Sequence, residues 1–358
     1  RVDALARAWF EELTQIVAAV AQGSGGHTTS DFPLTPIGQT EIDTLDTSVT
    51  SWDEVDEYLT GLVARVSLAA VEIEKDGHLR LVHGLDEDAL RPTGSAFKLY
   101  VAATLGHEVA LGNAEWNETL AIRDDWKSLP SGVLHKRPAG EHLTLLTYAE
   151  HMMAISDNTA ADHLIHRLDR SRIQQTLKSL GHQKPEANFP FLTTRAMFHG
   201  KLRHDAGDVK RYLSAPRDER MALINGIEQL PLPSSDPDPD LLGWTEPTHI
   251  DEIEWFAAPS DICRVFAALR GMGQAEIDQV MAHDDAGLNL DAVEFPKVWS
   301  KAGSEPGVVA LNYLVESNTK RAFVVSLMMS DPDGFDLPAT ISAGLQIVRT
   351  MFKLIVNE

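Results

Sequence analysis

Apolar residues recur at three- and four-residue steps over residues 1–23 (Val2, Leu5, Trp9, Leu13, Ile16, Val17 and Val20), a stripe that predicts one amphipathic helix. Gly23, Ser24, Gly25 and Gly26 end it. Residues 27–51 are rich in Thr, Ser, Asp and Pro without sustained periodicity, which reads as an extended linker or tethering arm. Helical periodicity returns over residues 52–65, with Asp53 and Glu54 in a first turn where carboxylates suit the helix dipole. Residues 66–74 alternate as a strand, Lys75, Asp76 and Gly77 form a turn, and residues 78–83 read as the returning strand. A helix is predicted over 96–111, and further helices follow to about residue 180.

The end of the chain mirrors its start. Residues 298–300, 308–315 and 322–329 read as three strands, and 341–356 as a closing helix with an apolar stripe. This order predicts an α/β fold of the α+β kind: one antiparallel sheet built from both chain ends, flanked by helices, beside an all-helical lobe. Two units are expected, an N-terminal helix and linker at 1–50 and a main domain at 51–358.

Composition narrows the function. The chain has 358 residues, 43% of them hydrophobic, and a formal net charge of −22. So acidic a surface repels phosphate backbones and anionic lipid, which argues against nucleic acid and membrane surfaces as partners. No run of about 18 apolar residues predicts a membrane-spanning helix. One cysteine, Cys263, excludes an internal disulfide, and its apolar helical surroundings over 262–269 predict a buried structural thiol. The first residues lack a basic-then-apolar leader pattern, so a cytoplasmic location is expected; the chain opens at Arg1, which leaves secretion open.

Three short motifs carry chemistry. In Ser95-Ala96-Phe97-Lys98, a loop through Pro92, Thr93 and Gly94 enters a helix at Ser95, and Lys98 falls on the same helical face. A neutral Lys98 takes the Ser95 proton; a cationic one stabilises the alkoxide. A plain helix-start serine would have the same local pattern. Ser156-Asp157-Asn158 sits at a helix–helix junction, where Asp157 caps the next helix and Ser156 and Asn158 point into a cleft; a capping turn alone is the simpler reading. Lys301-Ala302-Gly303-Ser304 is placed on the first of the three late strands. There a lysine can hold a substrate carboxylate, and Ala302 and Gly303 keep the edge flat, although an ordinary strand end looks similar. The order and contexts of all three converge on one site.

Taken together, the motifs make the chain from about residue 52 onward resemble class A β-lactamases and the wider serine penicillin-recognising enzymes, including low-molecular-mass D,D-peptidases. Their pattern is Ser-x-x-Lys, Ser-Asp-Asn, then Lys-Thr-Gly or Lys-Ser-Gly; residues 153–164 are especially close, and Ala302 stands where Thr or Ser is usual. The resemblance implies Ser95 as acylated nucleophile and Lys98 as general base. It implies Ser156 as proton shuttle, Asn158 as a substrate-amide contact and Lys301 as carboxylate anchor. The N–H groups of Ser95 and Ser304 would form the oxyanion hole. No cofactor is implied, and the substrate would be a small molecule: a β-lactam, an ester or a carrier-bound acyl chain.

One part of the class A pattern has no counterpart. The deacylating Glu of a Glu-x-x-Leu-Asn loop is missing; Lys184-Pro185-Glu186-Ala187-Asn188 is the nearest text, with Lys184 at the Glu position. Residues 189–201 are apolar and basic, and a loop with Pro231, Pro233, Pro237 and Pro239 among acids follows. The pattern is similar to β-lactamase-like proteins of natural-product clusters, which implies ester, thioester or acyl-transfer chemistry. Residues 1–46 resemble the tail of a nonribosomal peptide synthetase condensation or epimerisation domain, on Thr29 to Leu34 and Gln39 to Leu45, which implies a peptide synthetase partner. His163 and His166, one helical turn apart, lack a third metal ligand and read as surface or core histidines, so no metal is expected. A catalytically silent docking module and a purely structural protein are the competing readings, and a covalent serine probe separates them from an enzyme.

Overall fold

A computed structural model describes residues 49–202, 206–232, 243–282 and 286–357. The expected helix at 1–23, the expected arm at 27–51 up to residue 48, and Pro233, Pro237 and Pro239 of the expected loop lie outside the described residues. The first helix, α1 (Trp52–Leu62), starts on a capping box in which Ser51 and Glu54 satisfy each other's backbone N–H groups. It ends earlier than its periodicity suggests, because Val63 is already extended and Arg65 must pair with Ser330 in the sheet.

Strand β1 (Arg65–Ile73) pairs with β2 (Leu79–Leu85) on one side and β10 (Ala322–Ser330) on the other. β10 pairs with β9 (Val308–Glu316), whose free edge takes β7 (Lys297–Ser300) and β8 (Gly303–Glu305), all antiparallel. Both chain ends thus build one sheet, as predicted. Two-residue alternation splits the core. Leu311, Tyr313 and Val315 pack with α1 and α11 (Leu337–Val356) on one face, and Ala310 and Leu314 join the helical lobe on the other. By length and composition α11 could cross a membrane; in this fold half of it is buried, against β9 and β10.

The lobe contains α2 (Lys98–Ala110), α3 (Leu145–Ala154), α4 (Asn158–Leu168), α5 (Arg170–Ser179), α6 (Thr194–Leu202), α7 (Ala206–Ser214) and α8 (Arg217–Glu228). Short ladders pair β3 (Arg91–Pro92) with β6 (Phe256–Ala257), and β4 (Thr119–Ala121) with β5 (His142–Thr144). α9 (Pro259–Gly271) lies over β1 and β10 and buries Cys263, whose thiol is pushed up to about 12 by that burial; α10 (Ala275–Met281) packs on α3.

Candidate active site

The Ser95 motif is not one continuous helix. Residues Gly94–Phe97 form a 3-10 turn and the α-helix begins at Lys98, which tightens the entry and keeps Ser95 and Lys98 on one side. Three contacts lock the turn. The Thr93 N–H and hydroxyl both donate to the Trp255 carbonyl, at 2.9 and 3.2 Å. The Trp255 ring stacks on Phe97 with centroids 3.7 Å apart. Gly94 has φ +48°, and a Cβ there would lie 3.0 Å from the Ser304 nitrogen.

Lys98 is fully buried. Its Nζ lies 3.1 Å from Ser95 Oγ, 2.6 Å from the Ser156 carbonyl, 2.9 Å from Ser156 Oγ and 2.7 Å from Asn158 Oδ1. No carboxylate touches this amine among the described residues. Burial holds Lys98 well below the usual lysine range and the Lys301 charge adds to the depression, against the pull of Asp157 and Asp162.

Ser156 presents two oxygens to Lys98 because its backbone is left-handed, at φ 55° between α3 and α4. A non-glycine residue held there is strained, and Asp157 supplies the restraint. Its carboxylate caps α4 through the Ala160 N–H at 2.9 Å and accepts the N–H groups of Val133 and Leu134 at 2.7 and 2.9 Å. Gly132, at φ +98°, lets that loop approach, since a Cβ would stand 2.2 Å from the same carboxylate. The expected cap is therefore also a three-point anchor for the neighbouring loop.

The Lys301 motif straddles two strands rather than lying on the first of them. Ser300 faces Tyr313 and Gly303 faces Ala310, so β7 and β8 share one register along β9, with Lys301 and Ala302 between them. The ladder continues across the join, since the Lys301 N–H donates to the Asn312 backbone carbonyl at 2.9 Å, and Asn312, buried in the middle of β9, adds its side-chain amide to the Lys301 carbonyl at 3.0 Å. Its carbonyl oxygen in turn accepts the Ser326 hydroxyl at 2.7 Å. Lys301 Nζ reaches Ser156 Oγ at 3.0 Å and the Ala302 carbonyl at 3.1 Å, and burial pushes it down to about 7. Gly303 is compulsory: a Cβ would meet the Thr93 carbonyl at 2.1 Å and the Ser95 nitrogen at 2.6 Å. Ala302 is half-buried, and its side chain packs with the α11 face of the sheet.

The structure thus brings Ser95, Lys98, Ser156, Asn158 and Lys301 into one hydrogen-bonded set, with Gly303 and Ser304 against the Ser95 turn. Glu186 is not part of it. It sits exposed in the turn Pro185–Asn188 and lines a separate cavity of about 340 Å³ with Lys178, Arg217 and Arg220. His163 donates to the Thr159 carbonyl and accepts the Arg123 N–H, at 2.7 and 2.9 Å, while His166 stacks on Trp126. Among the described residues no cluster of three or more His, Cys, Asp or Glu is placed to hold a metal ion. Sequence reasoning missed Asn312, whose signal was a lone amide inside an apolar strand. It also missed Lys201, Glu254 and Glu305, which carry no local signal.

Residues 52–223 match the Beta-lactamase enzyme family. No curated protein is significantly similar in sequence. Among solved structures, the β-lactamase of Sphaerobacter thermophilus DSM 20745 is 19% identical, with a TM-score of 0.56 over 84% of this chain and 96% of that one. An ancestral class A β-lactamase is 16% identical, with a TM-score of 0.59 over 84% and 98%. PBP-A is 15% identical, with a TM-score of 0.55 over 85% and 96%. The described chain therefore has the β-lactamase/transpeptidase-like fold, with an antiparallel sheet from both chain ends beside a helical lobe.

Proposed function

We propose that this protein is a serine acyl-enzyme hydrolase acting on amide or ester bonds of a small molecule, with Ser95 as its nucleophile. The observation that carries the reading is the position of Lys98 Nζ, within 3.1 Å of Ser95 Oγ and 2.9 Å of Ser156 Oγ. In the neutral amine the lone pair faces Ser95 and takes its proton as Oγ attacks the carbonyl carbon. The N–H groups of Ser95 and Ser304 face the oxygen that becomes negative. Collapse expels the leaving group, which receives a proton from the Ser156 hydroxyl, and Lys98 or Lys301 returns one to Ser156. The product is an ester on Ser95. Asn158 and Lys301 contact the substrate amide and carboxylate.

The second half-reaction is slow in this reading. Water attacking the ester needs a base on its other side, and no carboxylate reaches Ser95 or Lys98 among the described residues. A missing positioned base typically costs about 10²–10⁴-fold. Small esters, or thioesters on a carrier, are the substrates we favour. Their departed leaving group frees space for water beside Lys98, and the resemblance to natural-product cluster proteins read from the motifs alone points to the same class. Transfer of the acyl group to an amine, in the manner of D,D-peptidases, is the second reading, supported by the fold likeness to PBP-A.

The test is a time course with a chromogenic cephalosporin, read by absorbance and intact mass. A burst of about one equivalent, an adduct lasting minutes and mapping to Ser95, and no adduct in Ser95→Ala are expected. Absence of adduct together with absence of turnover, or an adduct on another serine, removes the assignment.

A further inference from the structure

Behind the Ser95 turn lies a second ionic group that no step above uses. Lys201 on α6 hydrogen-bonds Glu254 at 3.1 Å and also Glu305 on β8, and all three side chains are buried. The two glutamates sit beside the nucleophile turn, Glu305 on β8, which packs against it, and Glu254 just before Trp255, which holds Thr93. Glu305 lies two residues after Gly303, on the same face of β8 and one residue beyond Ser304. Glu254 accepts the Trp255 N–H at 2.8 Å, and the Trp255 carbonyl holds Thr93, two residues before Ser95. Lys201 is the only cation of the three, and its helix comes from the other lobe.

We propose that Lys201, Glu254 and Glu305 are positioning residues that fix the distance between β8 and the Ser95 turn, and hence the alignment of the Ser95 and Ser304 N–H groups on the developing oxyanion. The proposal rests on the serine acyl-enzyme reading. An uncompensated charge in a buried group of this kind is costly. Two buried carboxylates on a single ammonium repel each other and disfavour double ionisation, so the pair shares one proton. The electrostatics agree. Burial pushes the Glu305 carboxyl well above its usual range against the pull of Lys201, and Glu254 facing it adds to the rise. Lys201 is held above its ordinary value: burial opposes its charge and the two carboxyls outweigh that. The group is one positive and one negative charge spread over three side chains.

That charge count gives the experiment its signature. Glu254→Gln and Glu305→Gln each leave one ammonium and one carboxylate, whereas the double variant buries Lys201 without a counter-ion and Lys201→Met strands two carboxyls. On the full chain, rapid mixing with a chromogenic cephalosporin yields the dissociation constant of the first complex and the acylation rate constant. Each single Gln variant is expected within about threefold of the parent in both, as for a retained neutral pair. Lys201→Met and the double variant are expected to lose tenfold or more in acylation rate with the dissociation constant within about twofold, as for a misaligned oxyanion site.

Hydrogen–deuterium exchange over residues 91–97 and 300–310 gives a readout that needs no substrate. It should quicken in Lys201→Met and stay at the parental level in either single Gln variant. Parental acylation and exchange in folded Lys201→Met overturn the positioning role; a tenfold loss in both single Gln variants overturns the shared proton. A parent that is never acylated, with the exchange pattern as expected, removes the acyl-enzyme reading and leaves the clamp itself standing.

Discussion

Two regions flank the Ser95 turn, and they are built on opposite principles. On one side, Lys98, Ser156, Asn158 and Lys301 crowd polar atoms into a buried volume, and every contact is a hydrogen bond of 2.6–3.1 Å. On the other, the stretch around Asn188–Thr194 is apolar where it meets the turn: Phe191 is buried and lies edge-on to Phe97 at 5.9 Å. The polar groups of that stretch are spent on holding it in place. Asn188 brackets Phe256 through both backbone atoms at 2.9 Å, and Thr194 bonds Asp162 on α4. On the proposed reading the first region moves protons during acylation, while the second meets the turn with apolar side chains. On the acyl-enzyme reading proposed above, this difference would let the first half of the reaction outrun the second.

The sharpest way to break the comparison is to remove the base from the polar side. Lys98→Met should lower the acylation rate about 10²–10⁴-fold, the range for loss of a positioned general base. Intact mass against time measures it, and a melting curve checks that the fold survives. Acylation at the parental rate would transfer the base role to Lys301.

Lys301→Met is expected to act on stability with a definite pH signature. In the unfolded chain this lysine holds its proton up to about 10.4, while in the fold burial brings it down to about 7. Between those values the unfolded state binds more protons, so the parental stability rises with pH across the window. Below about 7 the burial penalty is at its full value, up to about 5 kcal/mol before the hydrogen bonds to Ser156 and Ala302 are counted. The Met variant lacks this slope. It should be more stable than the parent at pH 7, with the advantage shrinking toward pH 10, as read by urea midpoints at a series of pH values.

The smallest effect is expected on the apolar side. Glu186→Gln should leave the lifetime of the Ser95 ester within about twofold, because Glu186 faces a different cavity. A marked lengthening would make Glu186 the missing deacylating acid and dissolve the contrast between the two regions.

The sheet from both chain ends was legible in the sequence because β1, β9 and β10 carry their signal locally, in apolar alternation bounded by turns. The Ser95, Ser156 and Lys301 motifs were legible for the same reason: a helix start, a helix junction and a strand edge each leave a short-range pattern. What the sequence could not state is how these pieces meet. The 3-10 turn at Gly94–Phe97 is held by β8 and Trp255, Lys301 is held by Asn312 from the neighbouring strand, and the lysines are depressed because packing removes water from both. The Lys201 group is the extreme case. Its three members stand 53 and 104 residues apart from the lysine along the chain and have no pattern in common. By itself the sequence determined the three motifs and the helix start, helix junction and strand edge near which each sits. Distance, burial and charge state were decided by the tertiary structure, because each depends on which surfaces exclude water together.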